Sequence, residues 1–219
     1  MDLWTTRDKA LDELYSTMAA EAKLIAESFA LIDTIVEIFD AHHKDNPFAR
    51  ACGLALAKAR NLSFGCYSLI LDGLAQEAGA LMRPLLETHE LLVYFRLESS
   101  AVNEALKGRL PKAGIIAKKI KGQFHDFRNH LNIHASHFSF TDYSLYHVFD
   151  VVDAKIKTVQ PMVPSVLRRN IRDHWLNMML LLGAAYECLE SDSVFADYIQ
   201  QIAVCAEDIK VRGLVLFDI

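Results

Sequence analysis

The chain is poor in residues that interrupt regular structure, with nine glycines and five prolines among 219 residues. Alongside 52% hydrophobic residues, that scarcity argues against a disordered chain and leaves enough apolar material for a substantial core. Cysteine is sparse as well. Cys52, Cys66, Cys188 and Cys205 lie far apart with no Cys-x-x-Cys pair. That spacing speaks for reduced core thiols in a cytoplasmic protein, not for a disulfide framework or a zinc site. No uncharged apolar run reaches the ~18 residues of a membrane span, so no membrane partner is expected. Met1-Asp2-Leu3-Trp4 has neither the basic nor the apolar region of a secretory leader. Positive charge is not in excess either. A formal net charge of -5 argues against a general nucleic-acid coat, although local basic patches remain open.

What the chain does have is helical periodicity. Leu11, Leu14, Met18, Ala22, Ile25, Phe29, Ile32, Val36 and Phe39 recur at steps of three and four. They predict one amphipathic helix over about 8–40, roughly nine turns long, with Thr5 or Thr6 as N-cap. Asn46-Pro47 has the form of an N-cap followed by proline in the first turn, opening a helix to about Leu71. Asp72-Gly73 predicts a break, and a third helix follows over about 75–98. Pro84 lies inside it and predicts a kink or opened turn near Gly79 to Pro84. A short helix is expected over 99–110, and Leu110-Pro111 starts another. Residues 138–163 mix aromatic and β-branched types without a stripe, which predicts a loop with a short hairpin. Helices over about 165–190 and 193–211 complete one helical domain spanning 1–219. The fold class is all-α: an antiparallel bundle of long helices with a short β-hairpin.

Candidate chemistry concentrates in one stretch, from Phe124 to His137, which holds four of the nine histidines. Groups of this polarity are not buried without partners, so the stretch is either a working site or a polar helix junction. At 100° per residue, Asp126, His130, His134 and His137 share one side of a helix, with Lys121, His125, Arg128 and Asn132 roughly opposite. The first side resembles a metal cluster, yet no third ligand from another helix can be named, and neither metal nor cofactor is expected. A second candidate is Arg83 with Glu87. These are opposite charges at i and i+4 among leucines. They read either as a structural pair or as a ligand clamp facing the histidine-rich helix.

The run from Ala59-Arg60-Asn61 through Gly73, then Glu77-Ala78-Gly79 to Arg83-Pro84-Leu85-Leu86-Glu87 and Tyr94, resembles an uncharacterised bacterial helical family. Its members carry a glycine turn, Glu-Ala before an Arg-x-x-x-Glu helix, and a later aromatic-Arg with His-x-Ser. Phe127-Arg128 and His134-Ala135-Ser136 match the last two. That family resembles a branch of the HEPN superfamily of helical bundles, over about residues 47–190, with the helices over 8–40 and 193–211 outside it. HEPN ribonucleases carry Arg, a polar residue and a later His that meet across a homodimer cleft and cut RNA without metal. The resemblance implies Arg128 as the charge-stabilising group, Asn129 as an orienting group and His134 as the proton shuttle. Arg83, Glu87, His130, Ser136 and His137 would form the surrounding polar site. It also implies a toxin or phage-defence role, with RNA as substrate and an antitoxin-like protein as partner. On an ideal helix Arg128 and His134 lie about 120° apart, so a shared site requires the helix to distort or to end near Asn132.

Two basic clusters, Lys118, Lys119 and Lys121 and then Arg168, Arg169 and Arg172, either converge on a phosphate backbone or form a solvated face. Two functions follow from these readings: a metal-independent endoribonuclease, or a non-catalytic module that binds a protein or a nucleotide. A metal-binding bundle is a third.

Overall fold

The computed structural model describes residues 4–135, 142–157 and 160–219, and the side chains of 142–144 are not described. The elements are α1 Thr5–Ser16, α2 Ala19–His42, α3 Pro47–Leu71, α4 Ala75–Leu97, α5 Ser99–Leu106, α6 Ala113–Lys119 and α7 His125–His134. They continue with α8 Asp142–Val148, β1 Phe149–Asp150, β2 Lys155–Ile156, α9 Pro164–Glu190, a 3-10 turn Ser193–Phe195 and α10 Ala196–Phe217. Among the described residues the structure is mostly helical, with a single two-stranded sheet. The one sheet pairs Phe149 with Ile156 and Asp150 with Lys155, antiparallel.

Local chemistry explains most of the boundaries. Asn46 caps α3: its Oδ1 accepts from the Ala49 N–H at 3.0 Å, while its Nδ2 donates to Asp192 at 2.7 Å. Asp192 in turn accepts from the Val194 N–H at 3.1 Å and starts the 3-10 turn before α10. One side-chain contact therefore ties two helix starts together. Gly73 ends the turn between α3 and α4 with φ +77°, a conformation that costs glycine little. Its bare backbone also admits Gln160 and Thr6, because a Cβ there would stand 3.0 Å and 3.1 Å from their side chains.

Three expectations need correction. The long N-terminal helix is two helices, broken at Thr17. The Ser16 and Thr17 hydroxyls donate back to the Asp12 and Glu13 carbonyls, at 2.6 Å and 3.2 Å, and this competes with the backbone ladder. Leu14 and Met18 stay buried on either side of the break, so the apolar stripe runs on while the helix does not. Thr6 does not cap α1; it is the second residue of that helix, and its hydroxyl donates to the Gln160 carbonyl at 2.9 Å. Residues 142–148, expected as loop, form α8. Pro84 sits inside α4, which is helical on both sides of it.

The hydrophobic core draws on α1 to α6, α9 and α10, with Trp175, Phe39, Phe95 and Phe195 among its largest members. α9 is the central helix, packing on α2, α3, α4 and α10. α3 and α4 form a close hairpin, and a Cβ on Gly65 would stand 3.0 Å from Leu81 Cδ1. The Trp175 indole packs against Gly213 of α10, where a Cβ would fall 2.1 Å from the ring. The shorter helices α6 and α7 pack on the remaining side of α4.

Candidate functional site

Gln76, Gly79, Arg83, Glu87 and Glu90 follow one another on α4 at steps of three and four, so they share a face. α7 runs antiparallel along that face. At one end the Gln76 amide donates to the His134 carbonyl. Gly79 then lets α7 come close, since a Cβ there would stand 2.9 Å from Ala135 Cβ. Arg83 bonds Glu87 through Nε at 3.1 Å and the Asn132 amide oxygen through Nη1. At the other end Arg128 Nη1 donates to Glu90 Oε2 at 3.0 Å. The polarity of the histidine-rich stretch is thus matched rung by rung along α4.

Glu90 is the most deeply set of these groups, 1% exposed, and Arg128 beside it is 14% exposed. Burial pushes the Glu90 carboxyl up; the Arg128 charge opposes that rise and the Glu87 charge adds to it. Its second oxygen, Oε1, has no hydrogen-bond partner among the described residues and would stand 2.8 Å from a Cβ on Gly122. His89 is half-buried one residue before Glu90, edge-on to Phe124, and desolvation lowers its pKa.

The opposite side of α7 looks into a cavity of about 810 Å³, within the range typical of small-ligand sites. His130 and His134 line it, their ring centroids 4.7 Å apart. α3 and α4 supply Ile70, Leu71 and Met82, and α9 supplies Arg169, Asn170, Asp173 and Leu180. Tyr146 and His147 of α8 and Gln160, Pro161 and Met162 ahead of α9 also line it. There His147 bonds Glu77 at 2.8 Å, and the Gln160 amide donates to the His147 carbonyl.

Arg128, Asn129 and His134 do not converge within one chain. α7 is unbroken through His134, so the two side chains keep different neighbours. Arg128 bonds Glu90, His134 lines the cavity, and Asn129 is exposed and absent from the cavity lining. Arg83 and Glu87 meet each other and Asn132 but do not line the cavity. His130 joins His134. Ser136 and His137 lie outside the described residues. Among the described residues no three His, Cys, Asp or Glu side chains gather as metal ligands.

Glu90 and Gln76 were outside the sequence expectation, although the 76-79-83-87-90 spacing places them on the Arg83 face. Half of the basic-cluster residues are tied down. Arg168 pairs with Glu21 at 2.8 Å and Arg172 with Asp173 at 2.8 Å. Lys119 donates to the Tyr94 hydroxyl at 3.2 Å. Cys52, Cys66 and Cys188 are buried thiols and Cys205 is exposed. No helix among the described residues is long and apolar enough to cross a membrane. Compared with protein-family models, curated proteins and solved structures, the chain finds no match.

Proposed function

We propose that this chain is a HEPN-like helical module that binds a small organic ligand in the α4–α7–α9 cavity and does not cut RNA. One observation carries the reading. The guanidinium that a nuclease would aim at phosphate is held by the buried Glu90 carboxylate, while a cavity of about 810 Å³ opens on the other side of the same helix. Turning Arg128 toward RNA would strand Glu90 as a buried unpaired charge, a penalty of several kcal/mol. The test is calorimetric titration of the purified chain with a panel of small organic ligands, nucleotides included. Leu180→Trp serves as control, because Leu180 lines the cavity yet is 40% exposed and tolerates a larger ring. Binding that this substitution abolishes supports the proposal. A panel without a single binder overturns it.

The endoribonuclease reading keeps one observation in its favour, the His130–His134 imidazole pair at 4.7 Å. Two such rings can divide the labour. One takes the proton from a ribose 2′-hydroxyl as it attacks phosphorus, and the other returns a proton to the departing 5′-oxygen. In a HEPN-like homodimer paired with an antitoxin-like protein, this pair would be the reacting centre and Arg128 a positioning residue. Purified protein incubated with total RNA, with and without chelator, decides it. Chelator-resistant cleavage that vanishes in His134→Ala supports it, and intact RNA under every condition ends it.

A further inference from the structure

The cavity's lining has a sign and a texture, and both constrain what fits. The chain as a whole carries a net charge of -5, yet among the described residues the charged side chains lining the cavity are Lys157, Arg169 and Asp173. Asp173 is neutralised by Arg172 at 2.8 Å. Lys157 is held by the Tyr146 carbonyl at 3.0 Å, an uncharged partner that leaves its charge in place. Arg169 makes no ion pair or hydrogen bond with any described residue. With Lys157 half-buried and Arg169 exposed, the described lining therefore carries surplus positive charge on an acidic protein, a field that draws anions toward it. A guanidinium presents paired donors that match the two oxygens of a carboxylate or phosphate.

Among the described residues the rest of the lining is chiefly aliphatic. Ile70, Leu71, Met82, Leu131, Met162 and Leu180 come from five parts of the chain. The ring-bearing contributions, Phe127 and Tyr146 with the histidines, are outnumbered by these flexible hydrocarbon groups. Aromatic bases are usually gripped by stacking planes, whereas branched aliphatics and methionine conform to a chain of methylenes. Arg169 and Leu180 stand eleven residues apart on α9, about 16 Å along its axis, so the span between the cationic and apolar ends accommodates an extended decyl chain together with its head group.

Building on the proposed cavity function, we infer that the ligand is an aliphatic-chain anion, a carboxylate or phosphate monoester, with its head on Arg169 and its tail among the leucines and methionines of α3, α4, α7 and α9. The probes are decanoate, decyl phosphate and 1-decanol, titrated below their aggregation limits into the wild-type chain, Arg169→Gln and Leu180→Trp. At least one anion should bind about tenfold or more tightly than 1-decanol, as a charge-assisted hydrogen bond predicts. Arg169→Gln should erase that gap and leave 1-decanol binding unchanged. Leu180→Trp should weaken all three. Equal binding of alcohol and anions, a gap that survives Arg169→Gln, or decyl binding indifferent to Leu180→Trp each overturns the inference. If nucleotides bind and decyl compounds do not, the aliphatic class is wrong while the cavity reading stands. If no probe binds, both fall.

Discussion

Glu90 and Arg128 bond across the seam between α4 and α7, Nη1 to Oε2 at 3.0 Å, with the carboxylate end almost wholly sealed from solvent. A pair this deep contributes little beyond what well-packed apolar groups would, but losing one partner is severe. Arg128→Ala should lower unfolding stability by about 3 kcal/mol or more at pH 7, read by urea titration. Burial already raises the Glu90 carboxyl above 4.5, and Arg128 is the group holding it back. Without that cation the folded state keeps a proton the unfolded chain releases, so stability falls as pH rises through the window above 4.5. The Arg128→Ala deficit should therefore shrink under acid conditions. A deficit independent of pH would contradict the burial of this pair.

His174 behaves in the opposite sense. It is fully buried in α9, its Nε2 lies 3.3 Å from the Ser63 hydroxyl, and burial holds its pKa down to about 4 against an ordinary 6.5. Above pH 6.5 the ring is neutral in both states. Between there and pH 4 the unfolded chain takes up a proton that the folded chain refuses, so stability drops as pH falls, by up to about 3 kcal/mol. Denaturation midpoints followed from pH 7 to pH 4 should show this in the wild type and much less of it in His174→Gln. Parallel curves would refute the assignment.

Gly213→Ala should cost about 1–3 kcal/mol, the usual range for overpacking, because the new methyl would lie 2.1 Å from the Trp175 ring. The indole N–H is buried without a partner among the described residues, so Trp175→Phe removes an unsatisfied donor together with its bulk. The double variant should recover part of the loss in a thermal melt. Additive losses would show that the two residues do not meet.

Asn132→Ala removes the acceptor for Arg83 on α4 and should cost about 1 kcal/mol. Its clearer signature is local. Amide hydrogen exchange over 125–134 should quicken while the α3 and α9 amides hold their protection. Uniform loss of protection would mean that α7 is not a separately anchored element.

Much of the architecture was readable before any coordinates. Asn46-Pro47 announces the start of α3 because an amide side chain and a fixed φ are local devices, acting within one turn. Asp72-Gly73 announces its end for the same reason, and the stripe through Ile25, Ile32 and Phe39 identifies the core-facing side of α2. Ser16-Thr17 escaped notice because the signal of a break was hydroxyl back-bonding, which the continuing apolar stripe concealed. The α8 turn escaped because its aromatic and β-branched residues follow no helical stripe.

The candidate site divides along the same line. Amino-acid order alone established that α7 has two chemically different faces and that α4 bears a charged stripe, since both follow from 3.6 residues per turn. It left open which groups those faces meet. Whether Arg128 turns to an acid 38 residues earlier or to a ligand depends on how α7 lies along α4. The cavity exists only where α3, α4, α7 and α9, remote in the chain, enclose a common space. Contacts of that kind are set by the packing of the whole core, in which each pairing competes with every alternative, and no spacing rule within a single helix encodes the winner.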